Sequence, residues 1–332
     1  MLKKIKQFII TKNKFMNNSS FVRLTKSLLA VSIFGITMVS CKKDSATVPA
    51  GPGTITAQVS VAPNFTLLKS AVVKAELAPT LDGPGPFTVF APTDDAFAAS
   101  GITSTVISSL SAEKLKAILL YHTLGAKVVA MDVPAGPNAK VVTAGGDSVF
   151  VTKNANGVFV NGINVVTADI AASNGVIHTI SKVLLPPAGN IVEVASADTT
   201  FSFLVAAVVK ASTGSTNVAA ILSGTSILTV FAPTNNAFRA AGFATIDAVK
   251  AADANTLTAI LTYHVIPGRI FSSDLTNGAQ PATANGGKVT IALSGSGATV
   301  KGNKNTSASN IIGANVMATN GVIHVIDQVL LP

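Results

Sequence analysis

The sequence predicts two tandem copies of one domain, each with helices in its first half and strands in its second half. Two boxes of sequence carry this prediction. Residues 174–186 (NGVIHTISKVLLP) and 320–332 (NGVIHVIDQVLLP) are identical at 10 of 13 positions. Upstream of each, residues 87–97 (FTVFAPTDDAF) and 228–238 (LTVFAPTNNAF) are identical at 8 of 11 positions. A repeat of this length indicates two domains rather than a solenoid, and a chain of 332 residues agrees with that number.

Each copy begins with a helix that we predict to be buried. Residues 65–74 and 201–210 align with each other, and large apolar side chains recur in both at helical spacing. The recurring residues are Phe65, Leu68 and Val72, matched by Phe201, Leu204 and Val208. A Gly-Pro-Gly-Pro stretch at residues 83–86 then breaks the chain before the next element.

The first box predicts a short strand followed by a helix. Residues 88–90 are β-branched or aromatic, and Pro92 ends the strand. Thr93 can cap a helix whose first turn holds Asp94 and Asp95, where the helix dipole favours acidic side chains. The second copy keeps the threonine but has two asparagines in place of the acids. We therefore expect the acids to stabilise the helix and not to take part in catalysis.

A third helix is predicted over residues 111–122, and it ends at a Tyr-His pair. Its apolar face includes the histidine in both copies. The face consists of Leu115, Ile118, Leu119 and His122 in the first copy, and of Leu257, Ile260, Leu261 and His264 in the second.

The rest of each copy predicts strands. In the first copy they lie at residues 141–143, 148–152, 158–160 and 164–170, separated by Gly-Gly and Asn-Gly steps that are typical of hairpins. The second copy is longer here, and its polar residues 302–310 predict a longer loop. The last box of each copy, residues 174–186 and 320–332, is called the closing box. Both of its faces are largely apolar, which predicts a central strand covered on both sides.

The two boxes, bracketing a Tyr-His pair twice in the same order, resemble a tandem pair of fasciclin (FAS1) domains. The resemblance covers residues 58–332, with one domain at 58–187 and the other at 188–332. It implies an α+β fold in which each domain is a wedge-like β-sandwich with packed helices. It also implies a secreted or membrane-anchored protein with a role in adhesion.

In animal members of that family, residues around the Tyr-His pair have been implicated in integrin binding. By this resemblance the candidate binding residues are Tyr121, His122, Tyr263 and His264. Integrin itself is not the expected partner, since the leader described next is bacterial in type. No arginine in the chain is followed by glycine, so the chain also contains no Arg-Gly-Asp tripeptide.

Residues 1–40 predict a lipoprotein signal peptide. A basic region precedes an uncharged apolar run at residues 27–40, which is too short for a membrane span. The run ends in Met-Val-Ser-Cys, which resembles a bacterial lipobox and implies lipidation of Cys41, the sole cysteine. The alternative is an ordinary secretory signal with an unused thiol. Residues 41–57, rich in Ser, Thr, Pro and Gly, predict a flexible tether, so we expect an exported, lipid-anchored protein at the outer membrane or cell surface.

The positive charge of the chain gives little support for nucleic-acid binding. The formal net charge is +9, but seven Lys and Arg residues and no acidic residue lie in residues 1–40. Without that leader, 17 basic residues face 15 acidic ones. Nucleic-acid binding would need a basic patch on the folded part, so we expect no nucleic-acid partner.

The histidines are the main candidates for catalysis or metal binding. All four occupy matched positions on apolar faces: His122, His178, His264 and His324. Zinc needs at least three good protein ligands, and the two copies share no third such residue. We favour the alternative, in which buried neutral histidines join helix to strand through both ring nitrogens. There is also no Gly-x-Ser-x-Gly elbow and no phosphate loop, so no enzyme, metal or cofactor is predicted.

These observations favour a non-catalytic adhesion or binding module, anchored at the cell envelope, that contacts a protein, glycan or matrix ligand. The alternative is a small-ligand carrier or an unrecognised enzyme that uses a cleft near the Tyr-His pairs. The residues that both copies keep serve packing and turns, which favours the first reading.

Overall fold

The computed structural model describes residues 51–295 and 297–332. The predicted signal peptide, the lipidation site Cys41 and the tether as far as residue 50 lie outside the described residues. The two repeats together form one compact unit. Among the described residues, no single helix has the length and apolar character to cross a membrane. One bent pair, Ile191–Ala197 with Thr199–Ala211, meets that test by length and composition only, with a 104° angle between its helices.

Short helices form one layer of the first repeat. In four of these six helices, a Thr or Ser oxygen at the N-cap accepts a hydrogen bond from a backbone N–H of the first turn, as residues of this type do at helix starts. Thr93 and Ser111 are two of these caps, which confirms the predicted starts of two helices. The helices are α1 (Ile55–Val61), α2 (Thr66–Lys74), α3 (Ala78–Leu81), α4 (Asp94–Ala99), α5 (Ser104–Ser109) and α6 (Ala112–Tyr121).

Seven strands of the first repeat form one sheet in the order β2-β1-β7-β6-β5-β4-β3. The closing-box strand β7 lies between β1 and β6, and all six of its residues are buried, as predicted for a central strand. It pairs with β1 in parallel, whereas its other neighbour is antiparallel. The strands are β1 (Phe87–Pro92), β2 (Thr123–Leu124), β3 (Gly136–Val142), β4 (Ser148–Asn154), β5 (Gly157–Val160), β6 (Ile163–Ala172) and β7 (Gly175–Ile180).

The sheet curls over itself, and this produces the predicted wedge-like sandwich. Two register shifts in the β6–β7 pairing bend β6. One face of β1 presents Val89 and Ala91 to the helices, in a core that also includes Leu68 and Leu119. Its other face presents Phe90 to a second core with side chains of β4 and β5. Each domain is therefore a layer of helices on a sheet that folds back on itself.

The second repeat has the same architecture with a six-stranded sheet, ordered β10-β11-β12-β13-β8-β9. Its helices are α7 (Ile191–Ala197), α8 (Ser202–Ala211), α9 (Val218–Ser223), α10 (Asn235–Ala240), α11 (Ile246–Ala251) and α12 (Ala254–Tyr263), with 3₁₀ turns at Thr199–Phe201 and Ser272–Asp274. Its strands are β8 (Leu228–Pro233), β9 (Val265–Pro267), β10 (Thr290–Ser294), β11 (Gly297–Lys301), β12 (Ser309–Ala318) and β13 (Gly321–Ile326). The turn between β11 and β12 spans residues 302–308, which confirms the longer loop.

Two boundaries differ from the prediction. The first domain begins before residue 58, because α1 starts at Ile55, which is buried, so the last residues of the predicted tether are helical. Thr54 caps this helix, and Ile55 and Val59 bury one face of it. The closing-box strand also ends early, at Ile180, where its partner β1 reaches Pro92, which has no N–H to continue the ladder. Leu185, predicted to lie on an apolar strand face, is 52% exposed.

A buried asparagine holds the helices against the central strands in each domain. The Asn174 side-chain oxygen accepts a hydrogen bond from the N–H of Ile55, and its amide nitrogen donates to the carbonyls of Leu81 and Gly83. Asn320 does the same in the second domain with Ile191, Leu222 and Gly224. The asparagine of the closing box therefore joins the start of one helix and the end of another to the turn before the strand.

The glycine that follows each asparagine is packed too closely to accept a side chain, which predicts a loss of stability on substitution. A Cβ on Gly321 would overlap the carbonyl oxygen of Leu228 and lie 3.0 Å from Cδ1 of Ile191. We expect Gly321→Ala to lower the free energy of unfolding by about 1–3 kcal/mol, because the central parallel pair must separate to admit the methyl group. Denaturant unfolding measures the loss. Gly125→Ala is the control, since a Cβ there meets nothing within 4 Å. Equal stability of the two variants would contradict the tight packing.

Candidate functional site

The histidine of each Tyr-His pair joins a helix to the chain beyond the closing strand. His122 caps the C-terminus of α6, and its Nδ1 lies 2.8 Å from the carbonyl oxygen of Ile118. The N–H of Leu184 donates to its Nε2 at 2.9 Å, so the neutral ring carries its proton on Nδ1. His264 makes the same pair of hydrogen bonds, with Ile260 and Leu330. The prediction is confirmed in part: both nitrogens of these two rings are bonded, but each ring joins its helix to the segment after the closing strand and not to the strand itself.

The histidine of each closing box contacts the loop that follows the Tyr-His pair. His178 Nε2 lies 2.8 Å from the carbonyl oxygen of Val128, and the N–H of Asp169 donates to its Nδ1. His324 Nε2 makes the matching contact with Ile270 at 2.8 Å. Its buried Nδ1 has no hydrogen-bond partner among the described residues, so the prediction that both ring nitrogens are bonded is wrong for this ring. The described residues contain no group of three or more His, Asp and Glu side chains placed to hold a metal ion.

The tyrosines are also bound from both sides. The hydroxyl of Tyr121 donates to the carbonyl of Ser148 and accepts a hydrogen bond from the Asn161 amide. Burial raises the pKa of Tyr121 to about 12, so this hydroxyl stays neutral. The Tyr263 hydroxyl donates to the carbonyl of Lys288 and accepts from the N–H of Asn303. Each tyrosine therefore fastens the end of a helix to the strand-rich half of its domain.

Burial corrects the expectation that these four residues contact a ligand. Tyr121, His122, Tyr263 and His264 are each exposed by 2% or less. A macromolecular partner cannot reach side chains that lie inside the domain and already have their polar atoms bonded. The resemblance suggested these residues for ligand binding, but in this chain their hydrogen bonds hold the domain together.

A small apolar cavity lies next to His122 in the first domain, and another lies next to His264 in the second. Their volumes are about 100 Å³ and 120 Å³. Sites for ligands of drug size usually offer roughly 300–1,000 Å³. The geometry therefore gives little support to a carrier or enzyme site at these positions.

Asp94 and its counterpart Asn235 support the same neighbouring helix. The Asp94 carboxylate accepts hydrogen bonds from the N–H and hydroxyl of Thr66 and from the N–H of Leu67. Burial raises the pKa of Asp94, but these hydrogen bonds together lower it by more, so its pKa lies below the usual value. Asn235 accepts from the N–H of Phe203 in the second domain. The acid was expected to stabilise the helix that it begins, but the hydrogen bonds of Asp94 support the start of α2, and those of Asn235 support the matching region of the second domain.

The two domains dock through a polar and aromatic interface. The guanidinium of Arg269 lies 4.0 Å from the centre of the Phe150 ring, a cation–π contact. The Asn138 amide donates to the carbonyl of Arg269, and the Thr152 hydroxyl donates to Asp274. The Asn154 amide donates to the carbonyl of Ser273, and the Asn315 amide donates to the carbonyl of Gly162. These contacts fix one domain against the other, and the sequence alone did not predict them.

A cleft of about 560 Å³ lies beside this interface. The first domain contributes Asn161 to Asn164 and Ser181 to Leu185, and the second contributes Ala314 to Met317. Lys182 is the only charged side chain among the described lining residues. The volume falls in the range of small-ligand sites, and such sites are common between domains. The interdomain cleft is the candidate functional site, and it exists only when both domains are docked.

Buried histidines predict acid sensitivity. Burial lowers the pKa of His122 and of His264 from 6.5 to about 4, although the carbonyl contact of each ring acts in the opposite direction. The unfolded chain therefore takes up protons first. Stability is fully present above the unfolded pKa of about 6.5 and is lost as the pH falls towards 4. Between about pH 7.5 and pH 5 we expect a loss of about 2 kcal/mol per histidine.

Denaturant unfolding as a function of pH measures this loss, and imidazole NMR identifies the groups. Carboxylates titrate mostly below about pH 5, so they add little in this window. Imidazole resonances of His122 and His264 that titrate near pH 6.5 in the folded protein would contradict the prediction.

Comparison with known proteins identifies the repeat. The Fasciclin domain family matches residues 63–186 and 199–332. Over 260 residues, 77% of this chain, the sequence is 30% identical to the transforming growth factor-beta-induced protein ig-h3 of Sus scrofa. It is 28% identical to human periostin over 263 residues, or 78% of this chain. These alignments span only 36% and 30% of the lengths of the two relatives.

A bacterial relative and a solved structure also match. Protein sll1483 of Synechocystis is 44% identical over 125 residues, covering 37% of this chain and 68% of that protein. The FAS1 domain pair of the insect cell adhesion molecule Fasciclin I is 19% identical, with a TM-score of 0.40, and covers 83% of this chain and 96% of that one. Because the family match includes both repeats and most of the sequence, the chain belongs to the Fasciclin domain family, with two tandem FAS1 domains.

Proposed function

We propose that this protein is a non-catalytic binding module of the cell envelope, held there by lipid on Cys41, that contacts a protein, glycan or matrix ligand. The observation that carries the proposal is the docked domain pair with its interdomain cleft. The contacts between the domains present surfaces of both in one arrangement, and an arrangement set before binding reduces the entropy lost on binding.

The polar residues that both copies share are bonded inside their own domains, which supports a binding role over a catalytic one. The ring nitrogens of His122 and His264 and the hydroxyls of Tyr121 and Tyr263 all have hydrogen-bond partners inside their own domain. A general acid or base must reach the proton that it transfers, and these groups are buried. The surfaces on which the copies differ, such as the turn at residues 302–308, are exposed loops, where binding specificity is commonly carried.

If Cys41 carries the lipid anchor, its substitution should change where the protein is found in the cell. We expect Cys41→Ala to prevent lipid attachment and to move the protein from the membrane fraction to the soluble fraction or to leave it unprocessed. Several acyl chains on one residue give stable attachment where a single chain is marginal. Membrane fractionation with metabolic lipid labelling measures the effect. Ser45→Ala, four residues further on, is the control. Equal membrane partitioning of Cys41→Ala and the parent would contradict the anchor.

Docking of the two domains predicts that interface changes weaken binding. Panels of glycans and of envelope and matrix proteins, probed with the full-length chain, would identify a ligand. The double variant Arg269→Ala, Asn315→Ala removes the cation–π contact and the bond to Gly162. We expect it to bind that ligand several-fold more weakly, because freely moving domains engage it less well together.

Lys116→Gln is the matched control, since Lys116 is exposed on α6 and distant in sequence from every interface residue. Unfolding measurements establish that both domains remain folded in the double variant. Unchanged affinity in the double variant would show that the domains act separately. Turnover of a substrate by the purified protein, abolished by a single polar substitution, would overturn the non-catalytic role.

A further inference from the structure

Three matched positions carry side chains whose hydrogen bonding differs between the two domains. Asn164, Ser181 and Lys182 of the first domain correspond to Asn310, Asp327 and Gln328 of the second. The backbone is the same at both places, because the N–H of Ser181 donates to the carbonyl of Asn164 at 3.0 Å, and the N–H of Asp327 donates to that of Asn310 at 3.3 Å. The side chains, however, have different surroundings.

In the second domain the three side chains are bonded within the domain. One oxygen of Asp327 accepts from the N–H of Asn310 at 2.8 Å and from the hydroxyl of Ser309, and the other accepts from the Asn310 amide at 2.7 Å. The Gln328 amide donates to the carbonyl of Ala308 and accepts from Ser307. These contacts satisfy the polar groups without any ligand.

In the first domain the same side chains have no protein partner in the described part of the chain. Neither the Asn164 amide, the Ser181 hydroxyl nor the Lys182 ammonium group makes a hydrogen bond or ion pair there. All three line the interdomain cleft, and Lys182 supplies its only charge among the described lining residues. The cleft lining therefore carries one cation, one hydroxyl and one amide; Asn164 and Lys182 are exposed and Ser181 is half-buried.

The surroundings of these groups suit a sugar acid. The cleft has an apolar lining that includes Leu185 and Val316, 52% and 39% exposed, against which the flat face of a sugar ring can pack. Polar side chains beside an apolar wall are suited to hydroxyl groups and a carboxylate. A strand-adding peptide is the competing ligand, because β12 pairs with β11 only at Ser309 and Asn310 and its later residues line the cleft.

We propose that the interdomain cleft binds a uronic acid residue of an acidic polysaccharide. Lys182 pairs with the sugar carboxylate, and Ser181 and Asn164 bond to its hydroxyl groups. The second domain completes the site by closing the cleft with residues Ala314 to Met317. The inference rests on the proposed function and specifies its ligand class.

Binding of trigalacturonate to the full-length chain, measured by calorimetry, tests this site. We expect binding that weakens with added salt, as a charge pair near the surface requires. Lys182→Gln should reduce the affinity about tenfold, equivalent to about 1.4 kcal/mol. Ser181→Asp should abolish binding, because it places a carboxylate opposite that of the sugar. The second domain already folds with aspartate at this position, bonded to the neighbouring asparagine.

Lys116→Gln is again the control and should bind as the parent does. Equal trigalacturonate affinity of Lys182→Gln and the parent would overturn the proposal, as would tighter binding of an acidic peptide such as acetyl-triglutamate amide. Maltotriose, which is neutral, should bind weakly or not at all, and equal binding of it would remove the role of the charge. If trigalacturonate fails but another glycan or protein binds the chain, only the cleft proposal falls. If none of the panel binds, the proposed function falls as well.

Discussion

The buried asparagine of each closing box is the contact on which the rest of the domain depends. Asn174 bonds to the first N–H of α1 and to the carbonyls at the end of α3, while the adjacent glycine lets β7 approach β1. These groups are otherwise unpaired ends of short helices, which would be costly to bury without partners. One side chain therefore fixes both layers, and Asn320 repeats the arrangement in the second domain.

Local chemistry predicted much of the fold. The caps at Thr93 and Ser111, the helical face that ends at His122 and the Asn-Gly turns depend on neighbours in sequence, and the structure confirms them. The parallel β1–β7 pair and the bent β6 join distant segments, so no short pattern reveals them. The Asn-Gly step before β7 predicts a turn by its local chemistry, but its asparagine side chain also bonds to residues about a hundred positions away.

The candidate site was harder to predict for a related reason. Comparing two copies of a domain selects residues that every copy needs to fold, and the Tyr-His pairs are of this kind, being buried and fully bonded. A ligand site formed by the pair needs residues that only one copy carries. Ser181 and Lys182 differ from their counterparts Asp327 and Gln328, and this difference was visible in the sequence. Its meaning depended on knowing that the first set faces the cleft and the second set bonds to its own loop.

A second difference between the two copies lies at the interface through which the domains dock. Arg269 stacks on Phe150, and Phe271 lies 6.1 Å from the same ring. The counterpart of Arg269 in the first domain is Lys127, and that of Phe271 is Val129. A lysine lacks the planar guanidinium that stacks on a ring, and a valine offers no aromatic partner. The first domain therefore does not carry the side chains with which the second docks. The two copies of one fold therefore differ at the surface where they meet, and that surface depends on side chains that only the second copy carries.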